Sequence, residues 1–130
     1  MISIKKCNNR EDWDDYVLEH DGHPLQLWGW GEVKAAHGWR VERVVGYDMD
    51  QQIVGGAQIL IRSLPWPLRA LAYVPRGPVG QADHMPEFLD ALANHVRSQY
   101  RAVVLTIEPD WVELPSSIDT KWHRSDNTIL

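Results

Sequence analysis

The segment running from Ala70 to Ile107 restricts the fold more than any other part of the chain. Between Met85 and Tyr100, the residues Leu89, Leu92, Ala93, Val96 and Tyr100 recur at helical spacing, which makes one face of a helix apolar. Pro86 suits the first turn of that helix, where a missing N–H costs nothing. Behind it, Ala102–Ile107 is a near-continuous apolar run and reads as a strand buried on both faces. In front, Ala70–Val74 reads as another strand. Strand, helix and strand in that order require a crossover between parallel neighbours, and such crossovers are right-handed. A chain built around this unit is an α/β protein.

The remaining pattern makes the sheet mixed. Met1–Lys5 alternates weakly and reads as a short strand. Asn8 or Asn9 can cap a helix reaching about His20, with Glu11 and Asp12 in its first turn. Asp21-Gly22-His23-Pro24 breaks the chain, and Leu25–His37 reads as a second helix closed by Gly38. Trp39–Tyr47 and Gln52–Ile61 form an antiparallel hairpin around Asp48–Gln51. Gly55-Gly56 inside the second strand marks a bulge or a close approach. The expected order is β-α-α-β-β-β-α-β, a mixed sheet with helices on its faces. Residues 111–130 show no period and are expected to be an irregular tail of a single domain covering residues 1–130.

Charge narrows the function classes. A net charge of −5 argues against broad binding to nucleic acid, but the charge is uneven. Six acids fall between Glu11 and Asp21, whereas Gln51–Ala82 holds no acid and three arginines, Arg62, Arg69 and Arg76. Such a window fits a confined anion site, or equally a set of solvated arginines flanking strands. Cys7 is the only cysteine, so no internal disulfide forms and a cytoplasmic location is expected. No run of apolar residues reaches the roughly 18 needed for a membrane-spanning helix. Seven tryptophans are present, and their rings serve either the core or a groove.

Two anomalies carry chemistry. On the second helix Leu27, Trp30, Val33 and His37 define the apolar side, and Lys34 falls on that same side. A lysine there snorkels to an edge, pairs with an acid, or points into a polar cleft where it can hold a phosphate. The second anomaly is the stretch "LAYVPRGPVGQAD", residues 71–83. It precedes a helix start, a natural anion site. Yet Pro75 and Pro78 remove two amides, so the loop is a poor backbone nest and Arg76 has to supply the charge. Glu108-Pro-Asp110 places two carboxylates at a strand end, either as an acid/base pair or as ordinary turn acids. His20 and His23 fit a surface turn better than a metal site. No cofactor or metal is expected, and no nucleophile–base pair or nucleotide motif is visible.

The element order resembles the first two-thirds of the GNAT acyltransferase fold. The usual GNAT pyrophosphate pattern is not met, because Val79 stands where its first glycine belongs. Acyl-CoA-dependent N-acyl transfer therefore remains only a further alternative. Three blocks are more similar to the FemAB/FemX family of peptidoglycan bridge-forming aminoacyltransferases, whose domains are GNAT-like. "PLQLWGWGEVKAAHGW" (24–39) resembles that family's Q-x-x-x-W-x-x-x-K-x-x-x-G-W block, "YVPRGPV" (73–79) its proline–glycine loop, and "VVLTIEPD" (103–110) its strand with E-P-D. The closing "DNTIL" resembles the strand that follows.

The resemblance implies transfer of an amino acid from aminoacyl-tRNA to the stem peptide of a peptidoglycan precursor, lipid-linked or nucleotide-linked. It implies that Lys34 and Arg76 hold the precursor's diphosphate. Tyr73 and Trp30 would line the cleft, and Glu108 or Asp110 would orient the amine. It also implies a GNAT-like domain truncated before the last elements of the fold. The open edge would then be closed by a second subunit, by a homo-oligomer or by the tail. The alternative reading is a non-catalytic module that binds the precursor or another subunit. A protein of this kind would be cytoplasmic, with a possible peripheral position at the inner face of the membrane.

Overall fold

The computed structural model describes residues 1–109 and the strand Thr128–Ile129. The elements run β1 (Ser3–Lys6), α1 (Arg10–Glu19), a 3-10 turn (Pro24–Gln26), α2 (Trp28–Ala35), β2 (Arg40–Tyr47) and β3 (Ile53–Ser63). They continue with β4 (Ala70–Val74), β5 (Val79–Gly80), a second 3-10 turn (Ala82–His84), α3 (Met85–Tyr100), β6 (Ala102–Ile107) and β7 (Thr128–Ile129). The sheet order is β1-β2-β3-β4-β6-β7, with β5 pairing β3. Only β4 and β6 are parallel, joined through α3. This is the mixed, helix-flanked GNAT-like sheet expected from the sequence, with the two short strands β5 and β7 added. Of the tail 111–130, Thr128–Ile129 pairs antiparallel with β6; its other residues lie outside the described ones.

Local chemistry accounts for the element ends. The Asn9 side chain accepts the Asp12 N–H at 2.9 Å, a cap whose loss costs about 1 kcal/mol. Gly38 takes φ +92° and Trp39 N–H bonds the Lys34 carbonyl at 3.2 Å, the closing bond of a glycine-terminated helix. The second helix is shorter than its sequence pattern suggests. Leu27 is extended at ψ 154°, which separates Pro24–Gln26 from α2.

The two faces of the sheet are filled differently. On one, Phe88, Leu89, Leu92 and Val96 of α3 pack on Val44, Ile59, Ala72, Val74, Leu105 and Ile107. Full burial of each large apolar side chain is worth roughly 1.5–3 kcal/mol. The Gly55-Gly56 pair is a close approach on both sides of the strand. A Cβ at Gly55 would lie 2.8 Å from the Phe88 ring, and one at Gly56 would lie 3.1 Å from Trp13. The other face carries α1 and α2 over β2 and β3 with a smaller cluster built on Trp13, Tyr16, Val17, Val45 and Val79.

Two expectations are corrected. Strand β6 is fully covered on one side only: Leu105 and Ile107 are buried, whereas Val104 and Thr106 are half-buried and Val103 is exposed. The α3 face is closed, and among the described residues no helix covers the other face of β4 and β6. On α2 the residues expected to face the core, Val33 and His37, are exposed. The helix instead seats its buried Gly31 on Val41, Arg43 and Gln58; a Cβ there would lie 2.6 Å from Gln58 Oε1.

Candidate functional site

The site is built around a break in the sheet. Strand β4 pairs with β3 from Leu60 to Ser63, and β5 pairs with β3 at Gly55 and Gly56. Between these ladders the backbone of Gln58 faces a gap, and the side chain of Gln26 fills it. Gln26 Oε1 accepts the Gln58 N–H at 2.8 Å, and Gln26 Nε2 donates to the Gln58 carbonyl at 3.4 Å. The same Nε2 donates to the Pro75 carbonyl at 2.6 Å. A single buried amide thus substitutes for a strand and ties the loop after β4 to the sheet. Gly77 is part of the fit, since a Cβ there would stand 2.7 Å from Gln26 Cδ.

This bond set extends into a buried polar network. Gln58 Nε2 donates to the carbonyls of Leu25 and Leu27 at 3.1 and 2.8 Å, and its Oε1 accepts from Arg43 Nε at 2.8 Å. Arg43 also donates to the Trp28 carbonyl at 3.0 Å and stacks 3.7 Å over the Trp28 ring. Trp13 Nε1 donates to the Gln26 carbonyl at 2.7 Å. Burial pulls the Arg43 pKa down, while the charges of Glu32 and Asp14 oppose that shift. Gln26 and Gln58 are fully buried with both ends of each amide engaged, a network that specifies one geometry. Sequence reasoning passed over both. The signals were a glutamine inside an apolar strand, and the glutamine that opens the Q-x-x-x-W block.

The network places the cleft residues in two groups. The first stands at the carboxy ends of β4 and β6. Tyr73 lies opposite Thr106 in the parallel ladder, and Glu108 is anchored by its N–H to the Val74 carbonyl at 3.1 Å. Arg76, at φ +53° in the loop held by Gln26, brings Nε to 3.7 Å from Glu108 Oε1. Tyr73 has a raised pKa, first from burial and then from the charge and hydrogen bond of Glu108, with Arg76 opposing. Its phenol is therefore a hydrogen-bond donor at neutral pH. Arg76 and Glu108 are each 46% exposed, so their ion pair contributes only about 0–1 kcal/mol and can rearrange around a ligand.

The second group sits on α2. Lys34 Nζ lies 4.9 Å from the centre of the Trp30 ring, so the lysine snorkels along the indole. Helix α2 runs from Trp28, bonded to Arg43, towards Trp39, whose ring carries the Arg62 guanidinium at 4.0 Å. Arg62, opposite Leu71, therefore lies towards the β3–β4 loop, whereas Tyr73, Arg76 and Glu108 lie at the carboxy ends of β4 and β6. The structure joins Tyr73, Arg76 and Glu108 to one another and Lys34 to Trp30. Asp110 lies outside the described residues.

The histidines of the Asp21 turn have local roles. His20 Nδ1 contacts the Tyr16 carbonyl at 2.9 Å, and His23 Nδ1 accepts the Leu25 N–H at 3.1 Å. Among the described residues no helix is long and apolar enough to cross a membrane, and no group of three or more metal-ligating side chains occurs.

Comparison with known proteins gives concordant matches. The profile of the FemAB family matches residues 9–130. A lipid II:glycine glycyltransferase of Staphylococcus aureus (strain bovine RF122 / ET3-1) is 33% identical over 113 residues, 84% of this chain and 26% of the relative. The enzyme of the same name from Staphylococcus saprophyticus is 33% identical over 110 residues, 82% of this chain and 26% of the relative. Among solved structures, FemX superposes with a TM-score of 0.67 at 28% identity, covering 82% of this chain and 27% of its own. The chain thus spans about a quarter of the length of the relatives it matches.

Proposed function

Since the chain belongs to the FemAB family, we propose that it is part of a peptidoglycan bridge aminoacyltransferase, with a lipid-linked or nucleotide-linked muropeptide as acceptor and aminoacyl-tRNA as donor. In that reaction the acceptor's amine nitrogen attacks the ester carbonyl of the donor. A C–N bond forms, the ester C–O bond breaks, and the amine's proton leaves as the donor hydroxyl is restored. Such a step needs positioning and charge stabilisation more than a nucleophile.

The observation that carries this reading is the Tyr73–Glu108–Arg76 cluster at the carboxy ends of β4 and β6, with Lys34 on the neighbouring helix α2. Lys34, with Trp30 as its platform, is a point charge for the precursor's diphosphate, and Arg76, at the other end beside Glu108, is a cation for a separate anionic group of the ligand. Tyr73 lines the cleft as a donor. Glu108 orients the attacking amine, the role its placement beside Tyr73 and Arg76 suits. A second reading is a non-catalytic module that binds the precursor or another subunit.

Calorimetric titration with a nucleotide-diphosphate muropeptide tests the site. Wild type should bind, and Lys34→Ala should weaken binding about tenfold, the loss of one charge-assisted contact. Equal affinity in the two proteins would remove Lys34 from the anion site. A transfer assay with aminoacyl-tRNA separates the readings: turnover supports the enzyme, and binding without turnover supports the module.

A further inference from the structure

The pole of the sheet opposite Glu108 carries a feature that the cleft does not use. The β3–β4 connection, Leu64–Arg69, projects Trp66 with 86% of its surface exposed and Leu68 with 51%. Pro65 and Pro67 bracket the tryptophan and stiffen the tip. Its base is pinned where Leu64 N–H bonds the Arg69 carbonyl at 3.0 Å. An indole held out in water on a proline-stiffened tip serves no packing purpose among the described residues.

Beneath the tip lies a cavity of about 290 Å³, lined among others by Arg40, Ser63, Arg69, Gln99, Tyr100 and Arg101. Its arginines come from the start of β2, the start of β4 and the end of α3, so the fold, not a local charge run, gathers them. No carboxylate lines the cavity, and Arg40, Arg69 and Arg101 form no ion pair among the described residues. Arg40 stacks 4.8 Å over the Tyr100 ring. In a chain of net charge −5, these three arginines make a local cationic pole, and Arg69 lies in the acid-free window Gln51–Ala82.

We infer that this pole docks on an anionic membrane surface. Trp66 would sit at the headgroup level, Leu68 would enter the acyl boundary, and Arg69 with Arg40 and Arg101 would take lipid phosphates. An exposed aromatic and aliphatic pair above a cationic ring has the chemistry of an interfacial anchor. Nucleic acid would use the arginines and could stack on the indole, but it offers no apolar layer for Leu68. The geometry also suits a lipid-linked substrate. Arg62 immediately precedes Ser63, so the Arg62 end of the open face is the end nearer the anchor. The inference does not depend on the transfer reaction, and its test contains no precursor.

The test is co-sedimentation of the full chain with vesicles of phosphatidylcholine alone and with 30% phosphatidylglycerol, taken as about a third anionic lipid. Wild type should partition to the anionic vesicles and much less to the neutral ones. Trp66→Ala should weaken partitioning about tenfold, and Arg69→Gln about fivefold. Both sites are on the surface, and unchanged circular dichroism would show that the variants fold. Absence of wild-type partitioning, or equal partitioning of wild type and Trp66→Ala, overturns the inference. Binding of tRNA or inorganic phosphate that Arg69→Gln abolishes, with no vesicle binding, also overturns it and reassigns the cavity to that ligand.

Discussion

The two faces of this sheet solve different problems with the same strands. The α3 face is a mainly apolar core in which Phe88, Leu89, Leu92 and Val96 meet the inward residues of β2, β3, β4 and β6. The α2 face pairs a smaller apolar cluster with a network of amides and a guanidinium, in which Gln26, Gln58 and Arg43 are hydrogen-bonded, and leaves the neighbouring stretch over β4 and β6 open. Apolar packing is non-directional and supplies stability, whereas hydrogen bonds fix angles. The closed face therefore keeps the fold, and the open face keeps the geometry of the cleft.

Truncation on each face probes that division. The largest loss of stability should come from the closed face: Leu92→Ala should cost about 2–5 kcal/mol in urea unfolding, with the cleft unchanged. Gln58→Ala should follow at about 2–4 kcal/mol, because it strands the buried Arg43 guanidinium and the partly buried Leu25 and Leu27 carbonyls. Unlike Leu92→Ala, it should also disturb the cleft, visible as shifted resonances of Tyr73 and Arg76. A stability loss with no such shifts would mean that the network is structural only.

Glu42 offers a pH-dependent comparison on the α3 side. Burial pushes its pKa up, but hydrogen bonds from His95, at 3.0 Å, and Tyr100, with the charges of His95 and Lys6, prevail and leave it below the usual 4.5. A carboxyl with a depressed folded-state pKa contributes stability above its unfolded value, and that stability is lost as pH falls through the folded value. Wild type should thus lose more stability than Glu42→Gln between pH 6 and about pH 3, and the variant should cost about 1–3 kcal/mol at neutral pH. Parallel pH profiles for the two proteins would contradict the assignment. The smallest effects belong to the cleft itself. Lys34→Ala and Tyr73→Phe should each change stability by no more than about 0.5 kcal/mol, since neither supports the core.

The same contrast explains what the sequence revealed. The periodicities of Met85–Tyr100 and the strands around it are set by burial against an apolar layer, so α3, β4 and β6 are legible residue by residue. Helix α2 is not, because it docks through Gly31 on polar groups, and hydrophobic spacing pointed to Val33 and His37 instead. Lys34 was conspicuous as a charge among apolar neighbours, and its position over Trp30 follows from a four-residue helical separation. The proline argument at Pro75 and Pro78 pointed to a stiff loop bearing Arg76. That Gln26 holds this loop across 49 residues of sequence depends on a tertiary gap that no local pattern encodes. Coverage of β6 was overestimated for a related reason: an apolar run shows what can be buried, not which faces receive a neighbour.

The division between the faces rests most directly on Gln26, the side chain that bridges Gln58 to Pro75. Amide hydrogen exchange in Gln26→Ala and Leu92→Ala, each compared with wild type, measures it. Gln26→Ala should raise exchange selectively at Arg76, Gly77 and Val79 and at Gln58, while the amides of α3 keep their relative protection. Leu92→Ala should lower protection throughout the core and leave the loop no more affected than the rest. Uniform loosening in both variants would contradict the account, because the cleft loop would then owe its position to the global stability of the fold and not to the amide that reaches it.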